Sequence, residues 1–274
     1  VEDPVSRWQA IYGRARQFDP RTIPGIGLWL DASDLSTITL NGSNVSEWRD
    51  KSGSGAPAAA QGFAANQPAY NASGLNGRGT VDFATTRSLV FGSSTASFNY
   101  LHNSTGGTVF IVIRPGDSSD PNAYAPFLMN NGDTSANTGI SLTFDDRVSV
   151  SRNNALLAVA NRGVSGAQTA AIIPNNFFAT ANAYCVLSVA YDCGNATASS
   201  RLRAYLNGTV NATTNTVTNA AATGNASTNM TIGNAGGGTR AAVAEMLFYQ
   251  GVLSTSRRQT VERYLGKKYG ITVA

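Results

Sequence analysis

Residues 23–34 read IPGIGLWLDASD, and their pattern decides the fold class. Successive side chains of an extended chain alternate between faces, so Ile26, Leu28 and Leu30 fall on one side while Trp29 adds a large apolar group to the other. A strand that is apolar on both faces belongs inside a layered β structure. Pro24 and Gly25 punctuate its start, and the polar run 31–34 its end.

The same signature recurs further along. In 108–114, Val109, Ile111 and Ile113 face one way and Phe110 and Val112 the other, as the middle of a sandwich requires. Residues 184–191 put Cys185, Leu187, Val189 and Tyr191 together with Ser188 opposite. In 201–206, Leu202, Ala204 and Leu206 point inward and Arg201, Arg203 and Tyr205 outward, and Asn207-Gly208 then gives the strongest hairpin signal in the chain. Residues 242–250 are apolar almost without a break. Shorter strands are expected at 45–50, 80–83, 88–91 and in APFLM, and a hairpin of 139–144 with 147–151 is expected to turn at Asp145-Asp146. Ser254 or Ser256 opens a C-terminal helix, 254–270, with Val261, Tyr264, Leu265 and Lys268 on one face and Gly270 at its end. Arg257, Arg258, Arg263 and Lys267 read as its solvated side.

At 274 residues the chain can bury a full core, and all-β sandwiches of that length are commonly one domain. Only 13% of residues are charged, so amides and hydroxyls must carry much of the surface. The net charge of +4 sits at the ends: residues 1–22 and 254–274 hold nine Lys or Arg against four acids, a balance of +5, which leaves about −1 for the body. The β body therefore has no broad basic field for nucleic acid or an anionic membrane. No apolar run is long enough to span a bilayer, and VEDPVSRW lacks the regions of a signal peptide. Eight residues along one strand separate Cys185 from Cys193 by about 26 Å, against the roughly 7 Å a disulfide allows, so two free thiols are expected.

Residues 1–22 differ from the rest. SRWQAIYGRARQ sets Trp8, Ile11 and Tyr12 at helical spacing with Arg14 and Arg16 on other faces, a short amphipathic arm. It either packs back on the body or serves as an attachment arm, since Trp, Tyr and Arg are enriched at interfaces.

VSEWRDKSG at 45–53, QPAY at 67–70, GLNGRGTVDF at 74–83, TVFIVIRP at 108–115, RLRAYLNG at 201–208, VAEMLFYQGVLS at 243–254 and VERYLGKKYGI at 261–271 occur in order. Together they resemble the laminin-G-like jelly-roll domains of the concanavalin A-like lectin and glucanase superfamily. That resemblance implies an all-β sandwich of two antiparallel sheets over 23–274, with Trp48 in the core rather than serving as a sugar platform. FDPRTIPG before LWLDASD resembles jelly rolls of bacteriophage structural proteins and bacterial surface proteins. It implies a non-catalytic adhesion or structural module on a virion or cell surface: a capsid decoration, head fibre or tail protein joined to a large assembly through residues 1–22, homo-oligomeric and binding host glycans.

Chemistry narrows this further. The superfamily's glycosidases carry paired carboxylates on one strand, whereas Glu2, Glu47, Glu245 and Glu262 form no such run, so no enzyme is expected. His102 is the only histidine, sits in FNYLHNSTGG without a nucleophile motif, and cannot build a zinc site with two ill-spaced cysteines. Calcium stays open, with Asp117, Asp120, Asp133, Asp145 and Asp146 as loop carboxylates of no diagnostic spacing. For a glycan, the candidates are Tyr124, Asn130, Asn131 and Asp133 in the long loops and Arg203 and Tyr205 on an outward strand face. A structural particle protein with no ligand site and a secreted bacterial carbohydrate-binding domain are the competing readings.

Overall fold

The computed structural model describes residues 18–274 apart from 85, 117–123, 133, 135, 173, 179–182, 211–213, 216–218 and 234–240, and apart from the side chains of 214 and 215. The expected arm residues Trp8, Ile11, Tyr12, Arg14 and Arg16 lie outside the described residues, as do Asp117, Asp120 and Asp133.

The chain runs β1 (Ile26–Asp31), β2 (Ile38–Asn41), β3 (Asn44–Trp48), β4 (Ala59–Ala60), β5 (Ala69–Leu75) and β6 (Arg78–Phe83). It continues through β7 (Ser88–Phe91), β8 (Gly107–Arg114), β9 (Tyr124–Met129), β10 (Thr138–Asp145), β11 (Ala155–Arg162) and β12 (Gln168–Ile172). β13 (Cys185–Tyr191), β14 (Leu202–Leu206), β15 (Thr209–Val210), β16 (Thr214–Asn215), β17 (Thr231–Gly233), β18 (Ala241–Gln250) and the helix α1 (Thr255–Tyr269) complete it.

Every described strand pairing is antiparallel. One layer runs β15-β14-β13-β8-β18-β1. β18 is long enough to pair β1 through Glu245–Tyr249 and β6 through Ala241–Val243 on the same edge, and β5 extends the sheet from β6. The other layer runs β16-β12-β11-β10-β9-β17-β7-β4-β3-β2. Between them lies the main core, in which Leu28, Leu30, Val109, Ile111, Ile113, Leu187, Val189, Met246 and Phe248 meet Ile140, Leu142, Phe144, Leu156, Ala158 and Ile232. Trp48 is fully buried in it. A second cluster covers the outer face of the first layer, where Trp29, Phe110, Val112, Val186, Leu247 and Tyr249 pack against Val261, Leu265 and Tyr269 of α1. Burying Val261 and Leu265 completely stabilises the helix by about 1.5–3 kcal/mol each.

The register explains one departure from simple alternation. Ile26 pairs Tyr249 while Leu28 pairs Phe248, so Gly27 is an extra residue, a β-bulge. Parity flips across it, and Ile26 packs with Trp29 against the outer cluster instead of with Leu28 and Leu30. The hairpin expected at Asp145-Asp146 also differs. β10 pairs β11, joined by a nine-residue connection, because Asp145 captures Arg147 with two 2.8 Å hydrogen bonds and Asp146 Oδ1 accepts from Asn154 N. Those contacts curl 147–151 into a short 3-10 turn instead of a strand.

Asn207 and Gly208 take φ of 49° and 82° and make the tight turn between β14 and β15, as expected. Ser254 caps α1, accepting from Arg257 N, and Gly270 ends it with φ of 69°. Arg258, expected on the solvated side, is buried: its guanidinium lies 3.6 Å from the Tyr205 ring centre and pairs with Glu262, which also accepts from Ser188 Oγ at 2.8 Å. Both cysteines are free and buried. Of the arm, residues 18–22 are described and lie against the sandwich, with Phe18 5.4 Å from the Tyr264 ring and Pro20 O accepting from Tyr249 Oη. Among the described residues no helix is long and apolar enough to cross a membrane.

Candidate functional site

The residues singled out for a glycan sit in different sheets. Tyr124 opens β9 and is stacked by the Arg147 guanidinium 4.0 Å from its ring centre. Asn130 is fully buried, its Oδ1 accepting from Ile140 N at 2.7 Å, and Asn131 is buried beside it. Arg203, on β14, is exposed and donates to Ser200 Oγ, while Tyr205 lies half-buried beneath Arg258. Asp133 lies outside the described residues. Tyr124 and Tyr205 thus each already carry an arginine on a ring face, and Asn130 holds the backbone of Ile140 through its Oδ1 while its Nδ2 stays buried without a partner, inside the fold and away from solvent.

A cleft of about 460 Å³ opens elsewhere, at the end of the sandwich where β1 begins and β18 finishes. One wall is the bulged start of β1, Ile26 and Gly27, with Gln250 beside it; the others are the 54–57 loop and the 96–105 segment. Its polar groups are Ser54, Ser97, Asn99, Asn103, Thr105 and Gln250, and its apolar contacts come from Ile26, Ala56, Pro57 and Ala96. Among the described residues no charged side chain lines it. The loop is held in place by Asp50, whose Oδ1 accepts from Trp29 N at 2.8 Å and Ser52 N at 2.9 Å and whose Oδ2 accepts from Ser52 Oγ at 2.7 Å and Ser54 Oγ at 3.2 Å. Ser54 Oγ also lies 2.8 Å from Gly27 O, which ties the loop to the bulge.

Two residues of this lining carry buried polar atoms without a hydrogen-bond partner, Asn99 Oδ1 and Tyr100 Oη. Such atoms are uncommon in folded proteins and ask for an explanation, a ligand or ordered water among them. Burial, with the Asp50 carboxylate as a lesser cause, holds the Tyr100 phenol well above its usual range, so it stays protonated and a donor. Gly27 makes room for it: a Cβ there would stand 2.8 Å from the Tyr100 hydroxyl. His102, two residues on, is fully buried with Nε2 3.2 Å from Gly224 O, and burial lowers its pKa, so it is a neutral packing residue and not a surface base. Sequence reading missed this cleft because it joins residues from 26 to 250, none in a recognisable motif.

No protein-family model matches the chain, and no curated protein sequence does. Solved structures do. The binding domain of Paraclostridial Mosquitocidal Protein 1 superposes with a TM-score of 0.58 at 12% identity, covering 89% of this chain and 52% of that one. A botulinum neurotoxin type C structure, described as depending on interaction with two ganglioside molecules for getting into cells, gives 0.56 at 11%, covering 88% and 51%. Trypanosoma rangeli sialidase gives 0.53 at 14%, covering 92% and 34%. The chain folds as a concanavalin A-like jelly roll. It spans about half the length of the toxin structures and a third of the sialidase, and at these identities the likeness shows the fold.

On the outer face of the jelly roll, under α1, lies a charge cluster that sequence reading also missed. Glu245, fully buried on β18, accepts from Trp29 Nε1 at 2.7 Å and from Tyr264 Oη at 3.0 Å, and its Oε2 is 2.6 Å from Lys268 Nζ. Lys268 Nζ is also 2.7 Å from Asp31 Oδ2, and Lys51 pairs with Asp31 and Asp34. Burial pushes the Glu245 carboxyl up and Lys268 works against that. Its carboxylate and ammonium groups are consumed by one another, which makes the cluster a fastening for the helix. Among the described residues, no three His, Cys, Asp or Glu side chains converge as metal ligands.

Proposed function

We propose that this jelly roll is a non-catalytic carbohydrate-binding module that uses the cleft between the β1 bulge and the 96–105 segment. The carrying observation is the lining itself: amide and hydroxyl groups on several elements converge, with two buried polar atoms unpartnered, in a cleft of saccharide size. The ganglioside interaction given for the botulinum type C structure supports sugar recognition as a use of this fold. Because the described lining offers no exposed aromatic face for stacking, single-site affinity is weak and function relies on several copies bound at once.

The proposed setting is extracellular: display on a virion or another large particle, joined through the basic, aromatic residues 1–22. This part of the proposal rests on sequence resemblance to phage and surface jelly rolls. A direct test is a glycan array probed with the tetramerised protein and with a Ser97→Ala/Gln250→Ala variant, whose changed side chains are exposed. Binding that disappears in the variant supports the cleft; equal binding by both places the sugar elsewhere. Co-sedimentation of the full chain, with and without residues 1–22, tests the anchoring.

A further inference from the structure

The cleft's chemistry goes further than sugar binding in general. We infer that it takes uncharged saccharides and turns away those bearing a carboxylate, such as sialic or uronic acids. This rests on the reading of the cleft as a sugar site.

An acidic sugar needs a cation, or a set of backbone N–H donors, aimed at its carboxylate. Among the described residues the lining offers no Lys, Arg or His. Among the described residues, the ionised side chain hydrogen-bonded to the lining is an anion, Asp50, held behind Ser54 by Trp29 N and Ser52 N. Ser54 Oγ spends its contacts on Gly27 O, Asp50 and Ala56 N, and Asn103 Oδ1 accepts from Thr105 N. The backbone N–H groups of Ala56, Ser97, Asn103, Thr105 and Gln250 are already bonded within the fold, so a carboxylate would enter beside a fixed negative charge with no described cation to receive it, an arrangement of like charges that selects against it. The hydroxyls of a neutral hexose are donors and acceptors at once and suit what is left: Asn99 Oδ1 as an acceptor, its Nδ2 being spent on Asn225 Oδ1, Asn103 Nδ2 as a donor, and the exposed amide of Gln250 as both.

The experiment is calorimetry or array binding of the full chain on matched pairs: neutral oligosaccharides such as lactose, and the same oligosaccharides extended by sialic acid or a uronic acid. The neutral member is expected to bind about tenfold or more tightly than its acidic partner, with the preference narrowing in Asp50→Asn. Ser97→Ala/Gln250→Ala should lose the neutral ligand. Acidic sugars bound as well as neutral ones, with that binding lost in the same variant, would overturn the charge selection while leaving the sugar site standing. Binding of neither class overturns the sugar site, and the selection with it.

Discussion

Lys268 Nζ lies 2.6 Å from Glu245 Oε2, so the last turn of α1 is joined to the middle of β18 by an ion pair whose carboxylate is fully buried. Removing the lysine leaves Glu245 and Asp31 without that partner. Breaking a buried pair from one side costs about 3–5 kcal/mol. Lys268→Met is expected to lose about that much in urea unfolding near neutral pH, with the deficit shrinking as the pH is lowered and Glu245 takes up a proton. A loss below about 1 kcal/mol would mean that the pair contributes no more than an exposed one.

His102 sets a pH dependence of definite sign. Burial lowers its pKa below the ordinary value of 6.5, so the unfolded chain binds the proton more readily than the folded one. Stability should hold above about pH 6.5 and decline as pH falls below it toward the folded pKa. Urea midpoints measured from about pH 7.5 to about pH 5.5 should drop, and His102→Gln should flatten the trend. A flat wild-type profile would remove the effect assigned to this residue.

The two thiols should be silent in the folded protein. Burial pushes both Cys185 and Cys193 up to about 12, and both are inaccessible. Since the thiolate is the reactive form, a thiol-specific disulfide reagent at mild alkaline pH should label neither until denaturant is added. Rapid labelling of the native protein would contradict their placement.

Gly27 and Tyr100 are coupled through space. A Cβ at residue 27 would stand 2.8 Å from the Tyr100 hydroxyl, so Gly27→Ala should cost about 1–3 kcal/mol. The double variant Gly27→Ala/Tyr100→Phe, which removes the opposing oxygen, should recover much of the loss. Additive losses would show that the strain lies in the bulge itself.

Where side-chain parity runs unbroken, the sequence foretold the packing: Val109, Ile111 and Ile113 line the core face of the first layer beside Leu187 and Val189 of the neighbouring strand, as the alternation requires. Asn207-Gly208 and the Ser254 to Gly270 helix followed from local rules of turn and cap. Parity failed at Ile26, because one inserted glycine reverses every face before it. The hairpin at 139–151 failed because Asp145 and Asp146 spend their carboxylates on Arg147 and on Asn154 N, contacts that periodicity cannot register. Arg258 looked solvated because Tyr205 and Ser188, the sheet residues that bury it and its i,i+4 partner Glu262, become neighbours only once the helix is laid on the sheet. The cleft was illegible for the same reason: Gly27, Ser54, Asn99 and Gln250 become neighbours only through the sandwich.

The most direct measurement is a backbone amide spectrum of the nitrogen-labelled protein, titrated with neutral sugars: glucose, galactose, N-acetylglucosamine, lactose and maltose. The expected result is saturable shifts clustered at Gly27, Gly55, Asn99, Asn103 and Gln250. Shifts centred on Tyr124, Asn130 and Asn131, or on Arg203 and Tyr205, or none with any of these sugars, would contradict the cleft as the binding site.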